Sequence, residues 1–225
     1  KDPNGNCTNG ITRHVSELTY TASDNVKALT KAKLDWPSNK YLNVWVVASI
    51  ASGAGGYSYF PGVSSAIDGI VVLRNQLSAL PHEAGHWLAL PHPWGGTNNN
   101  NVVTNCNDDD FIDDTPNTQG QSSCFNTLRV TCTDDPVPFL DINNNIIWPA
   151  SNGQIHDNVQ NIMEYSFCST MFTQGQAARM HTAINSGTAG RNNLITNSIS
   201  EYTAEVPFET LKKLQEEGHR LILWT

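Results

Sequence analysis

The chain has 225 residues, with Lys+Arg 13 against Asp+Glu 21 and a formal net charge of −8, a balance that argues against nucleic acid or an anionic membrane surface as partner. Its hydrophobic share, 39%, is that of an ordinary folded domain, and no apolar run approaches the ~20 residues of a membrane-spanning helix. The length suits one domain of good size or one domain plus an appendage, and Lys1-Asp2-Pro3-Asn4-Gly5-Asn6-Cys7 reads as the start of a processed or trimmed chain.

In chain order, Asp24 to Trp36 has helical spacing (Val26, Leu29, Leu34), with Ser23 or Asp24 as cap. Tyr41 to Ala48 is rich in β-branched and aromatic residues and predicts a buried strand. Gly53 to Gly56 predicts a flexible turn. Tyr57 to Phe60 and Asp68 to Leu73 predict two further short strands. Leu77 to Ala89 predicts a helix, and Pro91 and Pro93 keep it from continuing.

That helix carries His82-Glu83-Ala84-Gly85-His86, the pattern H-E-x-x-H. Positions four apart share a helical face, so His82 and His86 can aim ring nitrogens at one metal ion, with Glu83 beside them. His92 lies six residues beyond His86, so the chain must bend after Leu88 to bring it back. Three neutral imidazoles leave a fourth zinc position open for water, the layout of a catalytic rather than a closed structural site.

From Trp94 to about Ile155 there is little periodicity, and a loop of this length in a globular domain is expected to be pinned by something. Asp108, Asp110, Asp113, Asp114 and Thr115 offer hard oxygen ligands, as a calcium site would need. The five cysteines (Cys7, Cys106, Cys124, Cys132, Cys168) contain no C-x-x-C pair. Two disulfides and one leftover thiol fit best, which implies an oxidising, secreted or extracytoplasmic setting, although several connectivities satisfy the count. Gln174 to Asn185 predicts another helix. From about Glu201 the character changes: Pro207 to Gly218 predicts a charged amphipathic helix and His219 to Trp224 a strand. The domain reading is therefore 1–200 for the main unit and 201–225 for a helix–strand tail of uncertain origin. No repeats are present.

The motifs together resemble the metzincin zinc peptidases, and within them the pappalysin/ulilysin-like branch. The resemblance rests on His82 to His92, then Asp113-Asp114-Thr115-Pro116, then Asn161-Ile162-Met163-Glu164-Tyr165 with Cys168, then Phe172-Thr173-Gln174-Gly175-Gln176-Ala177-Ala178-Arg179-Met180, with Tyr41 to Val46 as first core strand. It covers roughly residues 20–186 in order. It implies an α+β metzincin-type zincin: a twisted mixed sheet with a backing helix and an active-site helix, above a loop-rich lower subdomain. It implies a monomeric zinc endopeptidase acting on protein or peptide substrates, with His82, His86 and His92 as zinc ligands. Glu83 would be the general base toward the attacking water. Met163 would form a hydrophobic floor, and Tyr165 would stabilise the oxyanion. By likeness to the branch, Cys106 pairs with Cys132 and Cys124 with Cys168, leaving Cys7 as a free thiol or a thiolate switch toward the metal.

Three departures qualify the resemblance. Ala89 stands where metzincins usually have Gly, and a left-handed Ala costs on the order of 1 kcal/mol, which a folded site tolerates. The wall after Met163 that would form the substrate pocket (Phe167, Ser169, Thr170) has no carboxylate between Ser166 and Met171, which favours an apolar or small residue after the scissile bond over Arg or Lys. Residues from about 201 match nothing in the branch and look more like a fragment of an α/β domain of the haloacid dehalogenase type. Two rival readings are a catalytically silent binding protein on the same scaffold and a zinc amidase of another class.

Overall fold

A computed structural model describes residues 2–25, 27, 36–95, 106, 108–120, 122–124, 130–132, 139–140, 146–147 and 156–195. Most of the expected helix between Asp24 and Trp36 and the whole 201–225 tail lie outside these. Among the described residues the central element is a three-stranded sheet of β1 (Val44–Val47), β2 (Gly56–Tyr57) and β3 (Ile70–Leu73) in the order β1-β3-β2. β1 runs parallel to β3, with Val44 opposite Ile70, and β2 runs antiparallel to β3, with Tyr57 opposite Val71. The sheet is thus mixed, as expected.

The central place of β3 explains its unbroken apolar run: Ile70, Val71 and Val72 are fully buried. The expectation of a buried strand over residues 41–48 needs correction. Only Val44–Val47 is strand, and Val44 and Val46 are exposed while Val47 is buried. Successive side chains alternate between faces, so a V-x-V pattern can face outward even when every residue is apolar. A second pair, β4 (Phe139–Leu140) and β5 (Ile146–Ile147), is antiparallel.

The active-site helix α1 (Leu80–Trp87) is shorter than the expected 77–89 because Leu77–Ala79 is a 3-10 turn, while α2 (Gln174–Asn185) matches its expected bounds. Thr173 caps α2 reciprocally with Gln176, a capping box. Two apolar clusters result. One joins Ala22, Val47, Ile50 and Val71 above the sheet, and the other joins Leu90, Ile112 and Met163, with Phe172 and Met180 against them.

A buried ion pair ties the end of the described chain to this frame. Arg191 donates to both Asp68 oxygens at 2.6 and 2.8 Å, and Trp87 Nε1 donates to Asp68 Oδ1 at 2.8 Å. The guanidinium stacks 3.6 Å from the centre of the Trp87 ring. One carboxylate therefore links the approach to β3, the last turn of α1 and the segment after α2.

Both disulfides expected by resemblance are present, Cys106–Cys132 and Cys124–Cys168, and Cys7 is exposed and unbonded. The second bridge fastens the long loop to the segment just after Met163.

Candidate active site

Helix α1 enters with Pro in its first turn, which fits a position whose N–H has no intrahelical partner. It ends in a left-handed turn at Ala89, φ 71, the position where the sequence departs from Gly. There Ala89 N–H donates to the His86 carbonyl and Leu90 N–H to the Gly85 carbonyl, both at 2.9 Å, the Schellman pattern. This reversal provides the bend required after Leu88. It also turns the Leu90 carbonyl toward His86 and sends His92 back over the helix.

The three histidines converge. Their Nε2 atoms lie 3.1, 3.1 and 3.2 Å apart. Among the described residues they form the one group of three or more His, Cys, Asp or Glu whose ligand atoms lie mutually within 4.8 Å. Three nitrogens at about 2.0–2.1 Å from a shared ion, at tetrahedral angles, would sit roughly 3.3–3.4 Å apart, so the donor set fits zinc. Their outer nitrogens reinforce the fit: His82 Nδ1 faces the Ile162 carbonyl at 2.8 Å and His86 Nδ1 the Leu90 carbonyl at 2.7 Å. A carbonyl accepts only a proton, which places the N–H outward and the Nε2 lone pairs inward. Burial, reinforced by the neighbouring His82, pushes His86 down to about 4, and burial lowers His82, so both are neutral near pH 7.

Glu83 points into the same cleft from the neighbouring helical position and is 6% exposed. Burial pushes its carboxyl up to about 7, against the opposing pull of the Ser58 hydroxyl and the Lys27 charge. Tyr165 stands on the other side, its ring centre 4.9 Å from that of His92 and 5.8 Å from that of His82. Burial, then the charge of Glu83, raises its phenol pKa. Trp94 completes the packing: it stacks on His92 at 4.4 Å and meets Tyr165 edge-on at 4.8 Å.

Met163 lies under the helix as a floor. A Cβ on Gly85 would overlap its sulfur, so this position of H-E-x-G-H must lack a side chain. Asn161 holds the turn: its Oδ1 accepts the Met163 N–H at 2.9 Å, and its amide exchanges two 3.1 Å bonds with Gln176. Thus N-x-M and the Q of F-T-x-x-Q meet as one buried amide pair beneath the histidines.

The cleft, about 970 Å³, is lined by Asp24, Ser58, Glu164, Tyr165, Phe167 and Ser169 among others. Phe167 and Ser169 are among these lining residues. Thr170 is outside that lining and donates its backbone N–H to the Gln160 carbonyl. Glu164, 3% exposed, also lines the cleft, from outside the 166–171 wall.

The acidic loop is brought together only in part. Asp108 and Asp113 are exposed, whereas Asp110 and Thr115 are buried and Asp114 is partly so. Asp110 Oδ1 accepts the Ile112 N–H, and Asp114 Oδ2 the Gly175 N–H. Arg179, from R-M in α2, donates to the Asp110 carbonyl at 3.0 Å. Among the described residues, Asp114 Oδ1 and Asn117 Oδ1 are buried with no hydrogen-bond partner, and the buried Asp110 carboxyl and Thr115 hydroxyl lie within reach of each other.

Sequence reasoning missed four participants. Ser58 reaches Glu83 from beyond β2, but a lone Ser after a short strand gives no signal. Trp94 had a signal, an aromatic residue two positions after the third His. Asp68 and Arg191, 123 residues apart, had none.

Comparison with known proteins agrees with this geometry. The peptidase M43 family model, described as Pregnancy-associated plasma protein-A, matches residues 24–185. An extracellular metalloprotease of Pyricularia oryzae is 28% identical over 188 residues, 76% of this chain and 57% of that protein. One of Colletotrichum graminicola is 30% identical, over 72% and 55%. The chain thus spans a little over half the length of the curated relatives it matches. Among solved structures, Tannerella forsythia mature mirolysin in complex with a cleaved peptide matches at 29% identity and TM-score 0.60, covering 86% of this chain and 72% of that one. The α+β metzincin-type fold expected from the motifs is the one found. With 24–185 holding the histidine triad, Glu83 and the Met163 turn, the chain belongs to the M43, or Pregnancy-associated plasma protein-A, family of peptidases.

Proposed function

We propose that the chain is a secreted, zinc-dependent endopeptidase, with His82, His86 and His92 holding the metal, Glu83 as general base and Tyr165 as oxyanion stabiliser. The observation that carries this reading is the convergence of three inward-facing Nε2 atoms beside a buried carboxylate in an open cleft. When bound, zinc would lower the pKa of a coordinated water toward 7 and polarise the scissile carbonyl. Glu83 takes a proton from the attacking water and returns it to the leaving amine. Its carboxyl, raised to about 7 by burial, is matched to both halves of that task. Tyr165 directs its phenol toward the developing oxyanion, kept protonated by its raised pKa.

Secretion is supported by the extracellular naming of the relatives and by the two disulfides. A peptide substrate is supported by the cleaved peptide bound to mirolysin. The family match ends at residue 185, which supports 1–200 as the peptidase unit and 201–225 as a separate tail. The purified chain is expected to degrade casein or gelatin, to lose that activity to a chelator and to regain it with zinc. Activity that survives complete metal removal would reject the zinc mechanism, and a chain that binds zinc without cleaving would favour the silent scaffold.

Calcium belongs to the same proposal. Asp114 presents a buried oxygen with no hydrogen-bond partner among the described residues, beside the buried Asp110 and Thr115, and such an atom needs a cation or water. Asp108 and Asp113 would act from the exposed rim. Calcium is expected to raise the melting temperature by several degrees over a calcium-selective chelator at fixed zinc. Identical melting in the two conditions counts against the site.

A further inference from the structure

Glu83 is a long side chain in a cleft, and an unrestrained Glu samples several rotamers. Its neighbours across the cleft remove that freedom. The Ser58 hydroxyl lies 2.7 Å from the Glu83 carbonyl oxygen and 3.2 Å from its Oε2. One hydroxyl thus lies within reach of both the backbone and the carboxylate of the same residue, and the single proton it shares between them restrains the side-chain torsions. Gly56, two residues earlier, lets the strand approach: a Cβ there would stand 3.0 Å from Glu83 Cγ and 3.1 Å from Oε1. The β2 backbone therefore stands close along the Glu83 side chain, and Ser58, two residues on, reaches its carboxylate.

We infer that Ser58 is a positioning residue for the proton-transfer step, holding the Glu83 carboxylate in the orientation that serves the attacking water. The inference rests on the proposed role of Glu83. Ser58 is half-buried, and its only proton goes to one of two oxygens of Glu83, so its role is directed at that residue rather than at the sheet.

The test uses the zinc-loaded chain with Ser58→Ala, Ser58→Thr and Glu83→Ala. Ser58→Ala is expected to lower kcat about tenfold with KM unchanged, because misorientation acts on chemistry rather than on substrate binding. Ser58→Thr keeps the hydroxyl and is expected to restore most of kcat. Zinc content and melting temperature should match the parent in both. A crystal structure of metal-free Ser58→Ala is expected to show the Glu83 carboxylate in another rotamer or in several. Full kcat in Ser58→Ala, or an equal fall in Ser58→Thr, overturns the inference, as does an unmoved Glu83 in the metal-free variant. A Glu83→Ala protein that stays active would instead overturn the general-base reading itself, so the two failures are distinguishable.

Discussion

Replacing Glu83 with Ala is expected to lower kcat on a peptide substrate by roughly 10²–10⁴-fold, the share a general base commonly supplies. Zinc content should be unchanged, since the three imidazoles and the carbonyls behind two of them are untouched. Stability should hold or rise. A carboxyl raised from 4.5 to about 7 binds its proton more tightly folded than unfolded. It therefore adds a penalty to the metal-free protein that is absent below pH 4.5, grows as pH rises and is complete above about 7. Glu83→Ala removes that penalty, so the metal-free variant should melt at or above the parent at pH 8 and differ less at pH 4. Lost activity with higher stability is the signature of a residue kept for chemistry. Retained activity above a few per cent, with zinc bound, would reject Glu83 as the base.

The chemistry was legible in the sequence because it is local. H-E-x-x-H sets two histidines and a carboxylate side by side by helical period alone, and the Pro-flanked bend predicts the return of His92. The family-specific motifs extended this to long range: N-x-M and F-T-x-x-Q-x-x-R-M are separate strings that the fold joins through the Asn161–Gln176 amide pair and the Arg179 grip on Asp110. What stayed hidden depends on tertiary approach. Ser58 matters only because β2 packs against α1, and Glu164 enters the cleft only because the turn at Met163 places it there. Strand 41–48 misled for a related reason. Composition gives β propensity but not which face is covered, and Val44 and Val46 lie on the open one.

Arg191→Ala is expected to be the most destabilising single change outside the metal site. Arg191 is fully buried and Asp68 is 1% exposed, so the pair has almost no solvent to fall back on. Removing the guanidinium would take both of its bonds from Asp68 and leave Trp87 Nε1 donating to the carboxylate. Breaking a buried pair in this way costs about 3–5 kcal/mol, because one charge stays buried without its counterion. For a domain of this size that lowers the melting temperature by on the order of 10 °C. The intact pair is worth less than this figure, since Arg191 Nε is buried with no acceptor. A double variant, Arg191→Met with Asp68→Asn, should therefore recover much of the loss, as residues sharing one network do not add. The change should also reach the active site. The guanidinium stacks on Trp87, which directly follows His86 and closes the last turn of α1. Loss of that stack should loosen the Schellman turn that orients Leu90 toward His86, so zinc affinity should fall along with stability. Differential scanning calorimetry and zinc titration of the two variants provide the test. An unchanged melting temperature in Arg191→Ala, or a double variant worse than the single one, would show that the pair does not hold this corner of the fold.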